Sequence, residues 1–424
     1  MWTLQEYAAN KKTRLYCGSA EPVDSFFLYA VSTVTVANNP SLNESFAVMR
    51  NTFNLHQACA IKALRDNWRV SDLLLDLLSK EASEPRDKIY ALKNVFQAVF
   101  ADTEVDYSAP VGEIYNRATR AIISSDKSLD ILMEANRARK WNVASWALDW
   151  DAENAERVST GLPMWNCSAD SEAVFKFSDD SKVISLQGIV LTTITCVAQD
   201  KVHLHIPANA FMPGDIGDID STLTKFKPFF RALVGFFNKL HQIHGPNPQP
   251  GLGLLQKLEA LLTIPLRDDY AFGDGQVPRT FLDRLYLFLH DEYNSVLLEG
   301  TGPRVPTETQ EEIDTALVDC PPGFRYLAPE GPFRLFLWKI TGKVGMEVLF
   351  YGEGGEMGLS YPNIQVGDIV AAVAGLGNPL VLRPCPESGE GGRFSLIGNA
   401  AVTGVMKGEA WPREGRDLRW FDIA

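Results

Sequence analysis

The sequence predicts an α+β protein: an α-rich N-terminal part, then a small antiparallel β-barrel interrupted by a helical insertion. Three observations predict it. Apolar residues recur at helical spacing up to about residue 150; the period shortens toward two from about residue 170; and after a second helical stretch the C-terminal part alternates again. The expected divisions are 1–150 for the first part, 151–205 for a linker with the first barrel strands, 206–330 for the insertion, and 331–424 for the remaining strands and tail.

A chain of 424 residues, 46% hydrophobic and 22% charged, can bury more than one core. Two or three packed units are expected, since domains usually hold roughly 100 to 200 residues. A formal net charge of −13 gives no long-range attraction to nucleic acid or anionic lipid, and no basic run offsets it locally. Neither nucleic acid nor membrane is an expected partner. The start, "MWTLQEYAANKK", has no basic-then-apolar leader, and no apolar stretch reaches the roughly 18 residues of a spanning helix. Six scattered cysteines without a CxxC pair predict reduced thiols and a cytoplasmic setting.

The elements follow in order. In "NWRVSDLLLDLLSKE", Val70, Leu74, Leu77 and Leu78 share one face, predicting a helix with a buried side. Glu84-Pro85 breaks it. Pro85 suits a helix start and Asp87 a first turn, so "RDKIYALKNVFQAVF" is expected as one helix with Ile89, Leu92, Phe96 and Val99 inward. A further helix is expected from Pro110 to Ser124, with Val111, Ile114, Tyr115, Ala118 and Ile122 as its stripe, before the aromatic extended segment "WNVASWALDWD". "FKFSDDSKVISLQGIVLTTITCVAQDKVHLHI" alternates across Asp179-Asp180 and past Gly188 as successive antiparallel strands do. "LTKFKPFFRALVGFFNKLHQIHG" and "LLQKLEALL" are amphipathic helices around the Pro/Gly-rich "GPNPQPGLG". Strands return in "FRLFLWKITGKVGMEVLFYG", "GDIVAAVAGL", "PLVLRP" and "FSLIGNAAVTGVM".

Several of these stretches, in this order, resemble the fungal heterokaryon-incompatibility (HET) domain family. "WTLQEYAANKKTRLYCGS" is similar to the family's W-x-x-Q-E segment, "EPRDKIYAL" to D-P-R-D-K-x-Y-A-L-L-G, "VDYSAPVGEIYNRATRAII" to D-Y-x-x-x-x-x-x-V-Y, and "SWALDW" to Pro-Ser-Trp-x-P-D-W. The tail, "QVGDIVAAVAGLGNPLVLRP" and "FSLIGNAAVTGVMKGEA", resembles the β-rich region that follows many such domains. The likeness implies that the first part is the α-rich remnant of an α/β unit of the Toll/interleukin-receptor (TIR) type. The family's early S-Y-x-W-G block is not present, Lys93-Asn94 replaces Leu-Gly, and Ala147 replaces a proline, so the expectation is a shortened, diverged member. The resemblance implies nonself recognition and programmed cell death through self-association or contact with a protein partner. It also leaves open an enzyme, either one that retains NAD cleavage or one recruited to secondary metabolism as a cyclase or isomerase.

Candidate chemistry is sparse. Arg86 offers a planar fork of donors that can staple a helix start or clamp an anion. Glu6, Asp106, Asp149 and Asp151 stand among Trp2, Tyr107, Trp146 and Trp150; a carboxylate against aromatic rings can be raised into acid/base range, or can simply accept indole and backbone hydrogen bonds. Glu6, Arg86 and Asp149 are therefore the candidate catalytic residues, and Trp2, Tyr90, Asp106, Tyr107, Trp146 and Trp150 the candidate binding residues for a small molecule. His203 with His205, and His241 with His244, are spaced for one face each, yet no carboxylate or cysteine completes a metal signature, so neither metal nor cofactor is expected. "YGEGGEMG" does not fit GxGxxG and reads as a hairpin; no G-x-S-x-G occurs.

Overall fold

The computed structural model of the chain describes residues 69–73, 77–78, 82–93, 95–135, 139–151, 165–179, 182–198, 236, 348–385, 392–412 and 418–424. The expected W-x-x-Q-E segment, both histidine pairs, and all of the expected 206–330 insertion except Phe236 lie outside these residues. Two compact units are present: Met1–Ala155 with Phe177–Ile184, and Glu156–Lys176 with Ser185–Ala424.

The first unit is helical. After a 3-10 turn at Val70–Leu73 come α1 (Asp87–Lys93), α2 (Gln97–Phe100) and α3 (Val111–Asp126), then a second 3-10 turn at Asp130–Glu134. The stretch expected as one helix from 86 to 100 is two, α1 and α2. The interruption shifts the phase of the apolar face by one residue: Phe100 is fully buried while Val99 is half-exposed, so the larger ring takes the inward place expected for Val99. In α3, Val111, Ile114, Tyr115, Ala118 and Ile122 are all buried, as the 3.6-residue period requires. Pro110 precedes the first helical residue, where its missing N–H costs nothing, and Lys127 ends the helix in the left-handed region at φ 51°.

The strands, all in the second unit except Phe177 and Ile184, form a mixed and mostly antiparallel sheet: β1 (Phe175–Phe177), β2 (Ile184–Val197), β3 (Val348–Gly352), β4 (Met357–Ser360), β5 (Ile369–Val373), β6 (Leu380–Pro384), β7 (Phe394–Val402) and β8 (Arg419–Ile423). The neighbour order is β1-β2-β3-β4-β7-β6-β5, and β2 also pairs with β5, so the path from β2 through β5 returns to its start. β2 manages both partners by dividing its length: Gly188 to Thr193 face β5, and Ile194 to Val197 face β3, with register shifts at Val190/Thr192 and Ile194/Cys196. Such bulges bend a strand, which is what turning from one partner to the other needs. At Gly188 the two backbones are so close that a Cβ would fall 2.2 Å from the Ala372 carbonyl oxygen.

β3 and β4 form the hairpin expected from "YGEGGEMG", turning through residues 353–356. The strands bury aliphatic side chains on both faces: the paired Leu349, Leu359 and Ala401 share one face, and the paired Val370 and Val381 share a face of β5 and β6. One end is held by the segment from Trp165 to Ser171. Its Cys167 N–H donates to Gly377 O at 2.9 Å, Ser168 Oγ to Leu376 O at 2.8 Å, and Trp165 N–H to Asn378 Oδ1 at 2.9 Å. Among the described residues no disulfide joins Cys167, Cys196 or Cys385, and burial pushes the Cys167 thiol up to about 12. Among the described residues no helix is long and apolar enough to cross a membrane.

Candidate functional site

The motif residues that the structure describes gather in the first unit around α1 and the segment 139–151. That segment lies against α3 because α3 carries small or hydrogen-bonding residues where it passes. A Cβ on Gly112 would sit 2.0 Å from Asn142 O; Asn116 Oδ1 accepts from Ala144 N–H at 3.0 Å; and Thr119 Oγ1 accepts from Leu148 N–H at 3.1 Å while donating to Tyr115 O. This anchoring places Asp149, Trp150 and Asp151 beside α1.

Asp149 is buried, and both carboxylate oxygens accept backbone bonds: Oδ2 from the N–H of Lys140 at 2.7 Å and of Trp141 at 2.8 Å, Oδ1 from Asp151 N–H at 3.0 Å. It closes the turn 140–151 on itself. Asp151 accepts from Lys140 Nζ at 2.8 Å and Trp141 Nε1 at 3.2 Å, and faces Lys88 Nζ at 3.7 Å. Burial pushes its carboxyl up, but the bonds from Lys140 and Trp141 and the Lys88 charge outweigh this, leaving it below the usual range.

Lys88, read from the sequence with Arg86 and Asp87 as part of a charged cluster tying neighbouring segments together, was not among the candidate site residues. Only 5% exposed, it donates to Trp150 O at 2.7 Å; desolvation holds its ammonium below the ordinary lysine value, against the raising pull of Asp151 and Asp149. A signal existed: Lys88 stands one turn ahead of Leu92, on the inward side of a helix whose Ile89 and Leu92 were already assigned to the core.

Arg86 directs Nε to Ala109 O at 2.9 Å and Nη1 to Glu84 Oε1 at 2.6 Å, joining the start of α1 to the loop before α3. Tyr115 reinforces the join, its hydroxyl donating to Pro85 O at 2.9 Å; desolvation raises its pKa strongly. Tyr90, Asp106 and Tyr107 form a second group on the far side of α1. Tyr90 OH donates to Asp106 O at 2.8 Å and accepts from Asp106 N–H at 3.0 Å, and its ring meets that of Tyr107 edge-on at 5.2 Å. Tyr107 OH donates to Asp87 Oδ1 at 2.7 Å, a bond that pushes the phenol up to about 12. The Asp106 carboxylate accepts from Ser108 Oγ and N–H, which lower its pKa. The aromatic neighbours of Asp106 and Asp151 therefore do not raise these acids, because donors aimed at the carboxylates outweigh desolvation.

Trp146 is fully buried apart from this cluster; its Nε1 donates to Lys182 O at 3.1 Å and its ring leans on Phe177 at 5.4 Å. Trp150 is 1% exposed and its Nε1 has no hydrogen-bond partner among the described residues. Glu6 and Trp2 lie outside the described residues. Among the described residues no group of three His, Cys, Asp or Glu side chains is gathered to hold a metal ion. Chemically, the arrangement is a charged staple: a buried ammonium held by a carbonyl and a carboxylate, with each acid receiving donors from the chain itself.

Residues 330–421 match the family model described as the Het-6 beta-barrel domain. The matched span contains β3 to β7 and most of β8, so the similarity falls on strands that the fold joins into its closed path. No curated protein and no solved structure is similar enough to count as a match.

Proposed function

We propose that the chain is a HET-like protein of nonself recognition and programmed cell death that acts by self-association or by contact with a protein partner. The observation that carries this reading is the engagement of the motif cluster: Arg86, Lys88, Asp106, Asp149 and Asp151 are all bonded within their own unit, as residues that hold a shape are. The Het-6 match of residues 330–421 supports the family side of the reading. On it, residues 1–150 form the HET-like part, the closed strand path is a small β-barrel, residues 206–330 are a helical insertion, and the protein works in the cytoplasm without cofactor or metal. Inducible expression in a filamentous fungus, with viability staining, tests the outcome, and light scattering of the purified chain tests the association. Cell death together with a concentration-dependent mass is expected. A monomer that captures no partner and leaves growth unaffected would overturn the reading.

A second reading, an enzyme performing acid/base chemistry on a small apolar molecule, draws on one observation. The unpartnered Trp150 indole N–H belongs to the same residue whose carbonyl holds the Lys88 ammonium, so a buried donor and a buried cation meet at one residue. Incubation with fungal metabolite extract, followed by mass spectrometry for a product lost in Arg86→Ala or Asp149→Asn, tests it.

A further inference from the structure

We propose that Thr103 is a phosphorylation site for a protein kinase with a basic peptide cleft, and that Lys93 receives the phosphate. The proposal does not depend on the association reading. Residues 101–110, between α2 and α3, hold no helix or strand; Asp102, Glu104, Val105, Tyr107 and Ser108 are exposed there, and Thr103 is half-buried. Three hydroxyls lie on this stretch. Tyr107 OH donates to Asp87 Oδ1, and Ser108 Oγ to Asp106 Oδ1. The Thr103 hydroxyl makes no hydrogen bond among the described residues. Its backbone is nonetheless fixed, the N–H donating to Phe100 O at 3.1 Å and the carbonyl accepting from Lys93 Nζ at 2.5 Å.

The flanking residues select the kinase. In "DTEVD" the threonine is preceded by Asp102 and followed by Glu104 and Asp106, with no cation in the stretch. A cleft lined by lysine or arginine attracts such a segment, and an acidic cleft repels it. In the transfer, Thr103 Oγ attacks the γ-phosphorus of ATP; the new O–P bond forms as the bond to the bridging oxygen breaks. ADP leaves with the electron pair, and the hydroxyl proton passes to a base of the kinase. The product carries a charge of about −1.5 to −2, which Asp102 and Glu104 repel. Lys93 offsets that repulsion. Its ammonium already touches the carbonyl of the same residue, so a small movement exchanges a neutral acceptor for a charged one. α2 is only four residues long, so the dipole at its C-terminal end opposes the phosphate weakly. Phosphorylation therefore ties the 101–110 stretch more firmly to the end of α1.

The test uses the full-length chain, incubated with ATP and an acid-directed serine/threonine kinase. Sites are mapped by mass spectrometry, and amide hydrogen exchange across 101–110 is measured before and after. Phosphate on Thr103 is the expected result, at a rate that Glu104→Gln lowers several-fold. Exchange should slow several-fold on phosphorylation in the wild type and in Lys93→Arg, but not in Lys93→Met. A chain that takes no phosphate, or takes it only on other residues, would refute the site. A rate indifferent to Glu104→Gln would overturn recognition through the flanking acids. Exchange that stays the same or quickens on phosphorylation, or slows equally in Lys93→Met, would overturn Lys93 as the receiver.

Discussion

Lys88 holds its ammonium 2.7 Å from the carbonyl oxygen of Trp150, tying the first turns of α1 to a segment 62 residues further along the chain. The charge is retained in a buried place because Asp151 answers it at 3.7 Å. Lys88→Met keeps most of the volume and removes the donor, leaving the Trp150 carbonyl unsatisfied. Chemical denaturation should show a loss of about 1–3 kcal/mol, with an unchanged denaturant slope. No measurable loss would mean that the carbonyl finds another donor.

Asp149 should prove more sensitive, because three backbone N–H groups depend on it. Asp149→Asn presents an amide donor where at least one of those N–H groups needs an acceptor, and a destabilisation of about 2–4 kcal/mol is expected from groups left unpaired. Circular dichroism melting of the variant checks this. A variant that melts like the wild type would mean that the turn 140–151 does not depend on this carboxylate.

The acid limb of stability follows from Asp151. Its carboxyl is lowered in the folded chain, so its contribution is present above the ordinary aspartate value near 3.9 and is lost as pH falls through the lower folded value. Lys88 acts on the alkaline side with the opposite placement. Its folded value is lowered, so the unfolded chain binds the extra proton between that value and roughly 10.4, and stability rises with pH across this window. Denaturation midpoints of Asp151→Asn should be flatter than wild type below pH 4, and those of Lys88→Met flatter on the alkaline side.

In the sheet unit, Arg383 and Asp368 provide a separate probe. Nε meets Oδ1 at 2.8 Å and Nη2 meets Oδ2 at 3.0 Å, while Nη2 also donates to Asn363 O and Oδ2 accepts Gln365 N–H. Asp368 is buried, so Arg383→Lys, which keeps the charge but not the fork, should cost about 1–3 kcal/mol. Thermal unfolding of that variant against Arg383→Met distinguishes the fork from the charge: equal losses indicate that the geometry carries the contribution.

Purified protein incubated with NAD is expected to release no nicotinamide by mass spectrometry. Release that Glu6→Gln abolishes would establish catalysis and displace the association reading.

Much of the first unit was legible along the chain because local periodicity and tertiary burial agree there. The stripe of α3 is read from a 3.6-residue repeat, and the residues on it are the ones that are buried. That β5 to β7 are strands and that 353–356 is a turn were equally readable, from short apolar runs and a glycine-rich break, although these strands are buried on both faces rather than alternating. What periodicity does not carry is the identity of a neighbour distant in sequence. That β2 faces β5 with one half and β3 with the other is decided only when those edges meet, and the bulges that permit it leave no mark in an alternating run. Lys88 makes the same point for the site. Its charge reads as surface in isolation, and only the carbonyl of Trp150 and the carboxylate of Asp151, brought up by α3, make burial of an ammonium favourable enough to keep.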